Sequence, residues 1–403
     1  MTVRIAKPKF NLREKLTELD KPSGLKGNEL MRSETTQDAR NLISAGRRNK
    51  IINGAMQVIQ RGSSIADVGD EAHTFTLDRW KLYVQNSTAR FTVSQDSDSP
   101  EGFGGSMKIE CTTTDTSLAS TDEVYLEQRL EGQDVQDFAK GTTSAKEYTL
   151  SFYAKTAKRG TYIVNLLGRD NTTSNVSAAY TVSNTGWNRY TLTFPADTNS
   201  SRKDDNDDEE ALRVLWWFVA GSAVDSGSLQ TTWANSSDTG RATGQLNFAD
   251  STSNIFYITG CQLEVGSQAT EFEHRSYGEE LALCQRYYIQ YGPNSALSRF
   301  PMMGECTSSS VAQYPLQFPV MMRGGTGGVS LTTNGSATDY QIYSGNSSKP
   351  CSAISLAITF KNPDSGCWGV RVNMSRDTGD LSTGHAAQAY AAGTSILGFS
   401  KEL

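Results

Sequence analysis

The tightest constraint on this chain is a run of alternation from Asn254 to Arg275, NIFYITGCQLEVGSQATEFEHR. Ile255, Tyr257, Thr259, Cys261, Leu263 and Val265 fall on one side of an extended chain, and Phe256, Ile258, Gly260, Gln262 and Glu264 on the other. Successive side chains of a strand point to opposite faces, so period two over this length predicts a strand with one buried face. Gly266 ends it, and a short polar turn leads to Phe272. Shorter runs with the same period come before it. Ala89, Phe91 and Val93 form one, and Met107, Ile109 and Cys111 another. Val124, Leu126 and Leu130 follow in VYLEQRLEG, then EYTLSFYAK, TYIVNLLG, GWNRYTLTFPA and LRVLWWFVAG. Met56 and Val58 in NKIINGAMQVIQRG are expected to open the series as its first strand, and Trp80 to pack across it with its indole N–H bonded. Eight or nine short strands divided by polar or Gly-rich turns predict an antiparallel β-sandwich of the jelly-roll type.

The ends of the chain read differently. Within residues 1–48, Asn11 is placed to cap a short helix whose face carries Leu12, Leu16 and Leu19, with Phe10 just ahead; Lys21-Pro22-Ser23-Gly24 stops it. A second short helix is expected to run to Ile43. Helices this short are marginal in water, so two readings stand: a flexible arm, or an arm ordered by docking on a partner or on sister subunits. Beyond Arg275, YGEELALCQRYY fits a short helix or turn running into a strand. Residues 276–403 then carry strands of their own. SAISLAITF and GCWGVRVNM are expected to pair across a short turn, and Pro315 and Pro319 suggest an edge position for QYPLQFPVMMRGG. The division is therefore a helical arm over 1–48, a sandwich over 49–275 and a smaller β domain over 276–403, consistent with a length of 403 residues.

Several function classes lose support. A net charge of −6 gives nucleic-acid binding little electrostatic basis. No apolar run approaches the ~18 residues of a membrane span, and MTVRIAKPKFNLREKL lacks the apolar stretch of a secretory signal, which fits assembly in a cytoplasm. The six cysteines form no C-x-x-C pair and the three histidines are scattered, so no zinc site is expected. Cys111 and Cys261 read as small buried hydrophobes. Cys351 and Cys367 could meet across a hairpin, but a reduced pair is the expectation in such a compartment. No serine sits in G-x-S-x-G with a partner base, and Met322 to Gly328 reads as a turn rather than a phosphate loop. Glu127 and Glu264 alternate with apolar residues and are expected to face solvent rather than pair in a cleft. The chain is not expected to be an enzyme.

Resemblance adds to this. ITGCQLEVGSQATEFEHRSYGEELALCQRYY resembles the end of the carbohydrate-binding-module-like jelly roll of marine phage tail-fibre and appendage proteins. TFTLDRW, holding Trp80, is similar to an element near the start of such modules. The order YTLSFYAK, GWNRYTLTF, QLEVG is where the likeness is strongest, over about Asn49 to Arg275. The segments KFNLREKLTELDKPSGLKGNELMR and, after the jelly roll, ALCQRYY followed by FPVMMR also resemble phage fibre segments. The resemblance implies a tail fibre or receptor-binding appendage on the virion. In that reading it is a homotrimer, attached to other tail or capsid proteins through the arm of Phe10, Leu12, Leu16 and Leu19, and touching host surface glycans. A capsid decoration or head-fibre protein is the alternative, and a glycan-degrading tailspike a third.

Two loops carry candidate sites. Asp204, Asp205, Asp207 and Asp208 lie in SRKDDNDDEE. Such a charge run is ordinarily a solvated loop, and it is also an oxygen-rich cluster of the kind that holds a structural Ca²⁺, although EF-hand spacing is absent. Trp233 sits among Thr, Asn, Ser and Gly residues. A ring in that setting either stacks on a sugar or tucks back against the sandwich.

Overall fold

The structure, a computed structural model, describes residues 47–403 apart from 71–72, 236–237, 293–296, 325–327, 363–365 and 393–394, with 30 and 32 ahead of them. The expected arm helices, with Phe10, Leu12, Leu16 and Leu19, lie outside the described residues.

Among the described residues, thirteen strands precede Arg275. They are β1 (Ser64–Val68), β2 (His73–Phe75), β3 (Lys81–Gln85), β4 (Arg90–Asp96), β5 (Ser106–Thr113), β6 (Glu123–Glu131), β7 (Tyr148–Thr156), β8 (Gly160–Gly168), β9 (Ser174–Val182), β10 (Asn188–Phe194), β11 (Glu210–Ala220), β12 (Ala234–Asn235) and β13 (Ile255–Val265). A one-turn helix, α1 (Ser222–Asp225), follows β11. The strands form two antiparallel sheets. One is six-stranded in the order β1-β4-β5-β13-β7-β10, the other seven-stranded in the order β12-β9-β8-β11-β6-β3-β2. Numbering β5 to β11 and β13 as one to eight, the cores of the two sheets read 1-8-3-6 and 2-7-4-5. That is the order obtained by rolling up a long antiparallel hairpin, so the jelly roll follows from strand order alone. The remaining strands extend the edges.

The inner faces share one core. Trp80 and Trp216 lie 5.4 Å apart between ring centroids, Phe152 and Phe256 pack nearby, and the Trp80 Nε1–H donates to the Asn53 carbonyl at 3.0 Å. Cys111 and Cys261 belong to the same core, and all six cysteines are buried.

Two details of the alternation differ from expectation. In β13 the buried set is Phe256 and Ile258, then Cys261, Leu263 and Val265, so the inward face changes parity part-way. A register shift against β7 between Thr259 and Gln262 accounts for this, with Gly260 at φ +63°. A bulge inserts one residue and moves every later side chain to the opposite face. The second concerns Ile51 to Gln60, which forms a folded turn segment rather than a strand. Asn53 and Met56 both have positive φ there. The Asn53 side chain accepts from the Gln57 and Val58 amides and donates to the Val58 and Asp78 carbonyls. One buried amide thus satisfies backbone groups that a ladder would otherwise take.

After Arg275, α2 (Tyr277–Gln285) starts at Ser276, whose Oγ accepts from the Glu279 amide. The strands that follow are β14 (Tyr288–Tyr291), β15 (Leu297–Cys306), β16 (Val311–Met322), β17 (Ser330–Thr333), β18 (Tyr340–Ser344), β19 (Ser347–Pro350), β20 (Ala353–Asn362), β21 (Gly366–Ser375), β22 (Ala386–Ala392) and β23 (Leu397–Ser400). A three-stranded sheet, β14-β23-β17, and a seven-stranded sheet, β19-β18-β22-β15-β16-β21-β20, contribute to a second core holding Tyr314, Tyr340, Val372 and Phe399. β20 and β21 pair antiparallel. β16 is internal rather than an edge strand. Its pairing with β15 covers only Ala312 and Gln313, so Pro315 and Pro319, which lack an N–H, come after that ladder has ended.

The two β regions meet through charged and polar contacts around a small apolar cluster of Ile52, Val58, Cys284 and Tyr287. Arg286 forks onto Glu131 at 2.8 and 2.7 Å, Gln60 donates to the Tyr288 carbonyl, and the Arg79 guanidinium lies 3.4 Å from the Tyr287 ring centroid. The last residues sit in this junction. Glu402 takes Arg79 and Arg61, and the Leu403 carbonyl accepts from Arg129 at 2.8 Å.

Candidate ligand-binding face

The side chains that alternate away from the jelly-roll core meet on the outer face of its seven-stranded sheet. Tyr83 on β3, Tyr125 on β6 and Trp217 on β11 are paired in register and form an aromatic row across three strands. Tyr83 and Tyr125 stack with centroids 4.6 Å apart and planes 9° from parallel, and Trp217 leans on Tyr125 at 4.9 Å. A charged row runs beside it, with Lys81 opposite Glu127, and Arg129 opposite Arg213 one step along.

Glu127 is fully buried at the centre of this row, which corrects the expectation of a solvated carboxylate. Its Oε1 accepts from Arg129 Nε at 3.0 Å and lies 3.4 Å from Lys81 Nζ, while Oε2 is 3.7 Å from Arg213 and receives no hydrogen bond. Glu210 holds Arg213 through a two-pronged contact and lies 3.3 Å from Arg129. Burying a carboxylate requires this many cations around it. Burial pushes the Lys81 ammonium below its ordinary pKa, against the pull of Glu127. Burial also raises the Tyr83 phenol, and Glu123 and Glu127 reinforce the shift. Glu264 is buried as well, accepting from the Thr270 amide at 2.9 Å and from its hydroxyl at 2.7 Å, so it organises the turn after β13 rather than facing water.

The face is partly roofed by the chain itself. Val224 of α1 and Ala242 pack on Trp217, Leu215, Ile163 and Leu167, and Arg241 lies 5.2 Å from the Trp217 centroid. At the other end Leu403 joins Phe75, Arg79, Lys81, Glu127 and Arg129 around a shallow slot. Between these two covers Tyr83 remains half-buried, Gln85 is exposed, and Glu123 and Arg213 are partly open. A ring beside fixed cations, a carboxylate and an amide offers one surface for apolar C–H faces and another for hydroxyls.

No family's sequence profile matches the chain, and no curated protein matches it. Among solved structures it is similar to the enzymatically active domain of tailspike protein 4 of bacteriophage CBA120, at 13% identity and TM-score 0.28 over 54% of this chain and 21% of that one. A putative sugar-binding protein from Bacteroides thetaiotaomicron gives 13% identity and TM-score 0.29 over 54% of this chain and 100% of that one. A family 11 carbohydrate-binding module from Clostridium thermocellum, in complex with a mixed-linked tetrasaccharide, gives 11% identity and TM-score 0.25 over 53% and 98%.

The loop residues singled out in the sequence lie elsewhere. Trp233 is buried in the jelly-roll core, its Nε1–H donating to the Pro195 carbonyl at 2.8 Å and its ring edge-on to Tyr148. With 9% of its surface exposed it offers no platform for a sugar, and the tucked-back arrangement is the one observed. Asp204 is also buried and is held by Lys140 Nζ at 2.7 Å, with burial raising its pKa. Asp207 Oδ1 accepts from the Glu209 amide, and the backbone carbonyls of Asp205 and Asp208 accept from Gln136 and Arg323. These contacts spread the four aspartates along the loop. Among the described residues no three His, Cys, Asp or Glu side chains gather as a metal site would require. Tyr83 was passed over in the sequence, although KLYVQ directly follows TFTLDRW and its own alternation sets Lys81, Tyr83 and Gln85 opposite Leu82 and Val84.

Proposed function

We propose that this chain is a glycan-binding virion protein of the tail-fibre or receptor-binding class, working by adhesion rather than catalysis. The observation that carries the glycan reading is the Tyr83–Tyr125–Trp217 row beside the Glu127-centred charge network. Its aromatic part is rigid, because Tyr125 and Trp217 are buried and leave Tyr83 as the accessible end. Preorganised rings lose little freedom on binding, which suits weak multivalent contact with a cell surface. The catalytic alternative asks for two carboxyls across a cleft, and Glu127 is instead enclosed by Lys81, Arg129 and Arg213. Virion attachment through residues 1–48, assembly as a homotrimer and the absence of a cofactor belong to the same proposal, resting on the sequence resemblance.

Screening the full chain on a glycan array and titrating the best ligand tests the reading. Tyr83→Ala is expected to weaken binding about tenfold, while Trp233→Phe, which keeps the core filled, leaves it unchanged. Unaltered affinity for Tyr83→Ala would remove this face from the proposal. A chain lacking residues 1–48 is expected to fold yet fail to join particles; normal incorporation would refute the attachment role.

A further inference from the structure

The opposite outer face of the jelly roll, on the six-stranded sheet, carries a second row of a different kind. Lys108 on β5, Tyr257 on β13 and Lys155 on β7 are paired in register. Trp187 immediately precedes β10, whose first residue pairs with Ala154, so the row continues from Lys155 to Trp187. The Trp187 and Tyr257 rings stand 6.2 Å apart at 61°, and both are half-buried. Trp187 is locked in place because its Nε1–H donates to Asp98 Oδ1 at 2.8 Å. The other Asp98 oxygen accepts from Lys155 Nζ, whose ammonium lies 5.4 Å from the Tyr257 centroid. Lys108 is matched in turn by Glu110 at 2.8 Å.

We propose that this corner is a second sugar site, independent of the Tyr83 face, which takes a neutral pyranose. The half-exposed Trp187 indole gives a flat apolar surface for a ring's C–H face. The Asp98 carboxylate and Lys155 ammonium stand together along the indole's polar edge, where one accepts from and the other donates to neighbouring hydroxyls. Selectivity for a neutral ring follows from charge. Each lysine of the row has its own carboxylate, so no cation is left over to favour a uronic or sialic acid. The Lys155 and Trp187 hydrogen bonds also hold the Asp98 carboxyl below its ordinary pKa.

Saturation-transfer difference NMR on the full chain tests this, using gluco-, galacto- and manno-oligosaccharides with a hexuronic acid oligosaccharide as the charged comparison. Tyr83→Ala is expected to retain binding of at least one neutral oligosaccharide, and adding Trp187→Ala to weaken it about tenfold. Lys155→Met serves as the second variant if Trp187→Ala lowers the melting temperature. Unchanged binding in both double variants, preference for the uronic ligand, or no neutral sugar bound by Tyr83→Ala would each overturn the site. The two readings separate cleanly. Complete loss on Tyr83→Ala alone supports the first face and sinks this one, and loss only on Trp187→Ala does the reverse.

Discussion

On the seven-stranded sheet of the jelly roll, Trp217 is fully buried beneath Val224, Arg241 and Ala242, whereas on the six-stranded sheet Trp187 and Tyr257 stay half-open to solvent. Both faces set aromatic residues beside paired charges. Their charges nonetheless live in different media. Glu127 is sealed among three cations, while Asp98 and Lys155 keep roughly a third of their side-chain surface exposed, 36% and 31%. An enclosed network is strong and structural, and an open one is weak and available to a ligand. The enclosed row thus stiffens the sheet and leaves Tyr83 as its accessible contact, whereas the open row leaves both rings and both charges within reach of a ligand.

The largest expected difference comes from removing a member of the enclosed row. Trp217→Ala deletes a fully buried indole and should cost about 3–5 kcal/mol by denaturant unfolding. Trp187→Ala should cost no more than about 1 kcal/mol. Glu127→Ala leaves Lys81, Arg129 and Arg213 crowded without their carboxylate and should cost about 3–5 kcal/mol, against at most about 1 kcal/mol for Asp98→Ala. Equal losses on the two faces would break the comparison. A Glu127→Ala protein of near-native stability would show that water enters the network more freely than its burial suggests.

Much of the first sandwich was legible because alternation reports directly on burial, and the runs from Ala89 to Val265 recur as strands, although the expected opening strand at Met56 does not and β9 was not read. What escaped was set by long-range contacts. A period-two pattern does not reveal which face is inner once a bulge intervenes, and nothing in NIFYITGCQLEV alone shows that Gly260 changes the parity. Glu127 and Glu264 looked solvated because polar residues opposite apolar ones ordinarily are. They are buried because the outer faces are themselves covered, by Leu403 and the surrounding cations at Glu127 and by Thr270 at Glu264. Adjacent Trp216 and Trp217 were the available signal. They point to opposite faces of β11, so two apolar environments had to exist there. Trp233 misled for the converse reason: a polar neighbourhood in sequence is not a polar neighbourhood in space.

A smaller effect is expected at the bulge. Gly260 sits at φ +63°, and a Cβ there would come within 2.7 Å of the Phe103 ring and 2.9 Å of Tyr153. Gly260→Ala should therefore cost about 1–3 kcal/mol, part from the left-handed backbone and part from displacing the rings. The cost falls on the open face, where Phe103 also meets Phe272 and His274. If the variant is as stable as the parent, the parity change in β13 does not depend on this glycine.

The smallest effect is the dependence of the open face on pH. Hydrogen bonds from Lys155 and Trp187 lower the Asp98 pKa from its unfolded value of 3.8. A carboxyl depressed on folding contributes stability that is present above the unfolded pKa and lost as pH falls through the folded one. Solvent screens this exposed pair, so the contribution should stay below about 0.5 kcal/mol. Asp98→Asn should thus be slightly less stable than the parent near pH 6, with the gap closing as pH falls below 3.8 and through the lowered folded-state value, where the parent carboxyl takes up its proton. Molar salt should shrink the gap near pH 6, since the Debye length falls to about 3 Å. A gap that widens on acidification would mean that the Asp98 carboxyl is raised, not lowered, by its neighbours, and that the Lys155 and Trp187 hydrogen bonds do not favour its ionised form.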